Sequence, residues 1–176
     1  MGCPNMQSRV YEDPSMIEIV NHSKSLEGSV VDFILEIQRT EFGLDIHAED
    51  QPDLLDVAKF YQTGAGNFWV ALADNEVVGT IALRDIGNRQ GALRKMYVKA
   101  PHRGKEHAVA AQLLERLVQS ATGAEVQDLY LATTEQFVAA LRFYEKNGFV
   151  RVAPKALPEA FPRIAAETLF CHRALA

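Results

Sequence analysis

An α/β domain built on a mixed sheet is the fold class that this sequence predicts, and three observations carry the prediction. Segments with the 3.6-residue apolar period of helices are interleaved with strand-like segments rather than gathered at one end. Three strand-like segments follow one another in mid-chain with short polar connections, which suits hairpins and an antiparallel stretch of sheet. The 176 residues are 48% hydrophobic with only 11 Gly and 7 Pro, enough apolar material for one substantial core in a chain too short for two ordinary domains.

Residues 1–15, with Pro4, Asn5, Arg9, Glu12, Asp13 and Pro14, read as a loose segment. A short strand follows at 17–20. Leu26, Val30, Phe33, Ile34 and Ile37 then mark one face of a helix that Phe42-Gly43 closes. Asp50-Gln51-Pro52 announces a second, shorter helix carried by Leu54, Leu55, Ala58 and Tyr61, because proline is favoured at an early helical position. Strands at 68–72 and 77–83 are joined by a hairpin turn over Ala73-Asp74-Asn75-Glu76, and a third strand occupies 92–98. Ala110, Leu113, Leu114, Leu117, Val118 and Ala121 keep the helical period until Thr122-Gly123 ends it. After a strand at 129–132, Thr133 and Gln136 stand at capping-box spacing and open a helix with Phe137, Ala140, Leu141 and Tyr144 on one face. Strands at 149–152 and 168–171 flank a loop containing Pro154, Pro158, Phe161 and Pro162.

Composition excludes several classes of function. A formal net charge of −5 argues against a nucleic-acid coat, which needs an excess of Lys and Arg over a broad face. No apolar run reaches the roughly 18 residues of a membrane span. The first fifteen residues contain nothing like the apolar core of a signal peptide, so a cytoplasmic setting is expected. Met-Gly-Cys begins like a lipidation signal, but Met6 stands where Ser or Thr is wanted. Cys3 and Cys171 have no partner spacing for a disulfide framework or a zinc site, so two free thiols and no metal are expected.

The most informative stretch is 96–108, Met-Tyr-Val-Lys-Ala-Pro-His-Arg-Gly-Lys-Glu-His-Ala, a strand end that passes through a basic turn into a helix. The unpaired N–H groups and positive dipole end of a helix's first turn favour an anion, phosphate above all. Lys99, Arg103 and Lys105, with His102 and His107, concentrate positive charge in an otherwise acidic chain, and the spacing is not that of a Walker A loop.

Here the chain resembles the Gcn5-related N-acetyltransferase (GNAT) superfamily, whose acetyl-CoA motif runs from a strand into Arg/Gln-x-x-Gly-x-Gly/Ala. The corresponding residues are Arg103-Gly104-Lys105-Glu106-His107-Ala108, with Glu106 where the family has glycine. A second match follows at Ala140-Leu141-Arg142-Phe143-Tyr144-Glu145-Lys146-Asn147-Gly148-Phe149, similar to the family's Ala-x-x-x-Tyr-Glu-Lys-x-Gly-Phe helix. The resemblance covers 17 to the C-terminus, with 142–162 similar to a small, largely uncharacterised subgroup. It implies a single acetyltransferase domain over 16–176 and the GNAT fold: a central, mixed, mostly antiparallel twisted sheet, splayed between its fourth and fifth strands and flanked by about four helices. Pantetheine of acetyl-CoA, the implied cosubstrate, would pair with strand backbone at Met96, Tyr97 and Val98. Its pyrophosphate would meet the turn of Arg103, Gly104, Lys105, Glu106, His107 and Ala108.

The same resemblance implies acyl transfer to a primary amine of a small molecule or peptide, with Tyr144 as general acid for the departing thiolate. Many members carry a glutamate base on the fourth strand where this chain has Ala92, so Glu41, Asp85 or a bound water is left to serve, Glu41 foremost. Phe137 stands where the family often has an asparagine. A chain that binds acyl-CoA without catalysis, as a sensor or interaction module, is the alternative. Glu41, Asp45, Glu49, Asp50, Asp53 and Asp56 lie in a stretch without Lys or Arg, which suits a cationic acceptor or a solvated acidic face. The oligomeric state is left open, a homodimer included.

Overall fold

The computed structural model describes residues 16–106 and 108–175, so the segment expected to be loose, with Cys3 and Met6, lies outside the described residues, as does His107. The elements in chain order are β1 (Ile17–Asn21), α1 (Glu27–Thr40), α2 (Pro52–Leu55), α3 (Val57–Phe60), β2 (Asn67–Ala73), β3 (Glu76–Asp85), β4 (Gln90–Val98), α4 (Val109–Gly123), β5 (Asp128–Thr133), α5 (Val138–Lys146), β6 (Val150–Val152) and β7 (Leu169–Ala174). The strands form one sheet in the order β1-β2-β3-β4-β5-β7-β6. β1 to β4 run antiparallel, β4 and β5 run parallel with α4 as the crossover between them, and β7 returns antiparallel between β5 and β6. The β2–β3 turn places Asp74 at φ 49° and Asn75 at φ 64°, the left-handed pair that a two-residue hairpin requires.

Both faces of the sheet are covered, which is why β2 reads as a continuous apolar run instead of an alternating one. Phe68 and Val70 pack under α1 with Val30, Ile34, Leu54, Val57 and Tyr61. Trp69 and Ala71 point to the other face, where Leu113, Leu114, Leu117 and Ala121 of α4 meet Ile81, Leu83 and Leu93. A third cluster joins Ala92, Leu157, Phe161 and Phe170, so the proline-containing loop covers the last strands and Phe161 packs there.

Two expectations are corrected. The single helix expected over Leu54 to Tyr61 is broken into α2 and α3 at Asp56, whose backbone leaves the helical region (φ −148°, ψ 64°). Leu54 and Val57 are buried on either side of the break, and Leu55 is 44% exposed. Asp56 accepts the Lys59 N–H at 3.2 Å as the cap of α3; Asp56→Ala is expected to lower unfolding free energy by about 1 kcal/mol in urea titration. The capping box at Thr133 does not form either. Thr133 is still paired in the sheet opposite Leu169, α5 begins five residues later, and its N-cap Phe137 makes no side-chain cap.

Candidate active site

β4 and β5 pair only through Gln90–Ala92 against Asp128–Tyr130. Beyond Ala92 the two strands part, and β5 continues alongside β7 to Thr133. Among the described residues, the edge of β4 from Leu93 to Val98 that faces β5 therefore has no strand partner, and it carries backbone polar groups able to bind an extended ligand. A bulge sharpens this edge. β3 pairs Thr80 with Tyr97 and Ala82 with Arg94, so Ile81 alone faces both Lys95 and Met96. Lys95 adopts φ +53°, unusual for a lysine within a strand, and its carbonyl accepts a 2.8 Å hydrogen bond from Oγ1 of the buried Thr80.

From Val98 the chain passes through one 3-10 turn, Ala100–His102, into the basic loop. Arg103 donates from Nε to the Val98 carbonyl at 2.7 Å and from Nη2 to Glu41 at 2.7 Å, which ties the loop to both β4 and the end of α1. Gly104 has φ +100°, and a Cβ placed on it would meet nothing within 4 Å. That opening lies just ahead of the left-handed Ala108 (φ +48°), the N-cap of the 15-residue α4, whose first-turn N–H groups have no partner within the helix. Lys105 and Glu106 are exposed at the loop's rim. Open backbone, unpaired N–H groups and flanking basic side chains suit a pyrophosphate, and the Glu106 side chain has open solvent to occupy.

Tyr144 stands across the gap on α5, 6% exposed, with its ring 5.7 Å from both Phe143 and Phe149. Burial pushes its phenol well above the ordinary range, and the neighbouring Tyr97 of β4 and Cys171 of β7 push it further. The same tyrosine is thus core residue and proton holder. Phe137, where the resemblance leads one to look for asparagine, packs on Phe42 at 4.4 Å and joins the start of α5 to the end of α1.

The carboxylates expected to serve as base or to attract a cation are largely engaged. Glu41 is ion-paired with Arg103. Asp85 accepts from the N–H groups of Ala65 and Gly87, at the end of β3 that pairs with Gly91, where β4 and β5 are still joined. Asp50 accepts from His47 N–H, Asp56 caps α3, and Asp53 pairs with Lys95 at 3.3 Å and receives the Tyr61 hydroxyl at 2.5 Å. Asp45 remains fully exposed, 3.7 Å from His47.

Several polar residues, of which the sequence marked only Tyr97 as a site residue, meet on the α1–α3 face of β4. Lys95 Nζ donates to Gln51 Oε1 at 2.9 Å; Gln51 and Gln38 exchange two hydrogen bonds of 2.9 and 3.1 Å; Gln38 donates to the Tyr97 hydroxyl at 3.1 Å. Arg94 pairs with Glu167 from the last loop at 3.3 Å. Burial lowers the pKa of Lys95 against the opposing pull of Asp53, and raises that of Glu167 against the pull of Arg94. Adjacent Arg and Lys in the middle of an otherwise apolar strand were the one signal in the sequence for this seam.

The model of the acetyltransferase (GNAT) family matches residues 31–149, which takes in most of α1, the diverging strands β4 and β5, the basic loop and α5. This chain belongs to the GNAT family. A GNAT acetyltransferase structure from Staphylococcus aureus is 32% identical and superposes with a TM-score of 0.86 over 91% of this chain and 99% of that one. The GNAT fold, with its sheet opened between β4 and β5, is thereby confirmed. Among curated relatives, N-acetyltransferase family 8 member 2 of Rattus norvegicus is 32% identical over 104 residues, covering 56% of this chain and 45% of the relative. N-acetylaspartate synthetase of Xenopus tropicalis is 34% identical over 104 residues, 57% of this chain and 37% of the relative. The matched stretch spans less than half the length of these GNAT relatives. The N-acetyltransferase from Thermoplasma acidophilum, solved in complex with coenzyme A, shares the fold at a TM-score of 0.68 and 16% identity, over 90% of this chain and 98% of that one. Among the described residues no helix is long and apolar enough to cross a membrane.

Proposed function

We propose that this GNAT acetyltransferase moves an acetyl group from acetyl-CoA directly to a primary amine of a small molecule or peptide. The observation that carries the reading is that the edge of β4 without a strand partner among the described residues is tied at Val98 to the Arg103–Gly104 loop and, at Tyr97, neighbours the buried Tyr144. The names of N-acetyltransferases and of N-acetylaspartate synthetase among the relatives support an amine as the acceptor.

In this reading Met96, Tyr97 and Val98 offer backbone to the pantetheine, and the turn from Arg103 to Ala108 receives the pyrophosphate. The amine nitrogen, having given its ammonium proton to a base or to water, bonds to the thioester carbon. A backbone N–H at the Met96 bulge stabilises the charge that develops on the carbonyl oxygen. As the intermediate collapses, the carbon–sulfur bond breaks, the thiolate takes a proton from the Tyr144 hydroxyl, and the proton that the new amide nitrogen releases returns through solvent to the Tyr144 oxygen. Burial, with Tyr97 and Cys171 beside it, keeps the Tyr144 hydroxyl protonated at neutral pH.

With Ala92 on β4, no carboxylate from that strand position reaches the amine. Glu41 could act as base only by leaving Arg103; Glu41→Gln should then lower turnover most at pH values where the acceptor is an ammonium, whereas an equal loss at every pH assigns Glu41 to holding Arg103. The reading as a whole is tested by thiol release from acetyl-CoA with a broad panel of amines. Turnover on any of them supports transfer. Tight CoA binding with no turnover on the panel would instead favour a sensor of acyl-CoA.

A further inference from the structure

We infer that Thr80, Gln51 and Asp53 are positioning residues for the chemistry: they lock Lys95 in its left-handed conformation and so aim the Met96 N–H into the gap between β4 and β5, at the thioester carbonyl. The inference rests on the acyl transfer proposed above and deepens it.

Peptide geometry is the first argument. The Lys95 carbonyl is held on the β3 side of its strand by a 2.8 Å hydrogen bond from the Thr80 hydroxyl. The peptide that joins Lys95 to Met96 is trans, so its N–H points away from its carbonyl. The Met96 N–H is therefore directed away from β3, toward the side on which β4 has already parted from β5. The bulge is what frees this donor, because the pairing of β3 with β4 passes from Arg94 to Tyr97 over Lys95 and Met96.

What holds the bulge is the second. Positive φ inside a strand is costly for a lysine, and such a conformation persists only where its surroundings fix it. Here they do so from both sides of Met96. Lys95 Nζ donates to Gln51 Oε1 at 2.9 Å and pairs with Asp53 at 3.3 Å. Tyr97, the neighbour on the other side, receives a 3.1 Å hydrogen bond from Gln38, which in turn exchanges two with Gln51. Both flanks of the donor thus share one anchor between α1 and α2.

Burial is the third. Gln38 and Gln51 are each 5% exposed, Thr80 is fully buried, and the Lys95 side chain is 11% exposed. An ammonium so enclosed is costly to desolvate, and apolar residues of similar size would pack at least as stably, so the pair is poorly explained as a source of stability. Fixing one backbone conformation is a use that does explain it. With its head already engaged by Gln51 and Asp53, Lys95 is a strut and not a group that waits for a ligand.

The experiment uses the full chain with acetyl-CoA labelled isotopically at the thioester carbonyl, and reads the carbonyl stretch of the bound molecule by infrared difference spectroscopy. Wild type is expected to move this band to lower wavenumber than in free acetyl-CoA. Lys95→Ala, which loses the clamp, should return the band toward its free position and lower kcat about 10²-fold, the lower range for a lost oxyanion donor, with CoA affinity by calorimetry unchanged. Lys95→Gly loses the same clamp but is at ease at positive φ, so it should recover most of the shift and of the rate. Asp53→Ala should move both readouts in the direction of Lys95→Ala. Thr80→Val should do the same, and Thr80→Ser, which keeps the hydroxyl, should stay near wild type. An unshifted band in wild type, a Lys95→Gly protein no better than Lys95→Ala, or a Thr80→Val protein that keeps both shift and rate would overturn the inference. A band that shifts in wild type and returns in Lys95→Ala while no amine is acetylated keeps the positioning and sinks acyl transfer. Turnover whose rate and band no variant changes keeps transfer and sinks the positioning; no binding of acetyl-CoA sinks both.

Discussion

Tyr144→Phe is expected to lower kcat about 10²-fold, the scale of a lost general acid, while leaving the CoA dissociation constant nearly unchanged. The ring is what packs against Phe143 and Phe149, and phenylalanine keeps the ring. A purely structural tyrosine would therefore tolerate the change with little loss of rate. The pH dependence supplies a second check. Burial holds the phenol above its ordinary range, so the proton is present throughout the range in which an amine acceptor becomes neutral. Rate should rise with pH as the amine deprotonates, and no descending limb from Tyr144 should appear below about pH 10. The sign for stability follows from the same shift. A group whose folded pKa is raised contributes stability that is complete below its unfolded pKa and is lost as pH climbs through the folded value. Wild type should thus lose stability above about pH 10, and the Phe variant should lose less of it. A variant that turns over at the wild-type rate with a good acceptor would remove Tyr144 from the chemistry.

Those features of the fold that depend on local pattern were legible in the sequence. The 3.6-residue stripe of Leu113, Leu114, Leu117 and Ala121 marks α4 because that face lies on the sheet. Asp74-Asn75 marks the β2–β3 hairpin because both residues tolerate positive φ. Arg103 and Gly104 were legible for the same reason, since the loop they form is made by consecutive residues. The polar seam on β4 was not. Lys95 meets Gln51 from 44 residues away and Arg94 meets Glu167 from 73 residues away, and neither spacing has a period to detect. The bulge that turns Lys95 toward α2 places a lysine, not a glycine, at positive φ, so it left no mark in the composition of β4. The break at Asp56 was hidden by apolar residues on both sides, and only burial distinguishes Leu54 and Val57 from Leu55. Acidic residues 41–56 read as a uniform charged field because their partners, Arg103 and Lys95, come from β4 and the loop after it.

Gly104→Val is expected to weaken CoA binding by about 10²-fold, which corresponds to nearly 3 kcal/mol, the upper end of what a strained backbone conformation costs. At φ +100° glycine is comfortable and a β-branched residue is not. The loop has two ways to respond. It can keep its conformation and accept the strain, in which case the valine side chain projects into the open space that Gly104 faces. It can instead relax to negative φ, which swings the N–H groups of 105–106 away from the directions they hold before α4. Both responses disturb the pyrophosphate, and neither disturbs the core, because no atom lies within 4 Å of the new Cβ and the loop is exposed. The melting temperature without CoA should accordingly stay close to that of wild type if the loop relaxes, and fall by about 2–4 °C per kcal/mol of strain if it does not, so a larger fall marks a damaged fold. Gly104→Ala, with the same backbone demand and less bulk, should fall between the two. Because Arg103 and Lys105 flank this opening, wild-type affinity should also decline as salt is raised. Titration calorimetry of CoA decides the matter: an unchanged dissociation constant in a folded Gly104→Val protein would take the turn from Arg103 to Ala108 out of the cosubstrate site, and would leave the β4 edge to bind CoA without it.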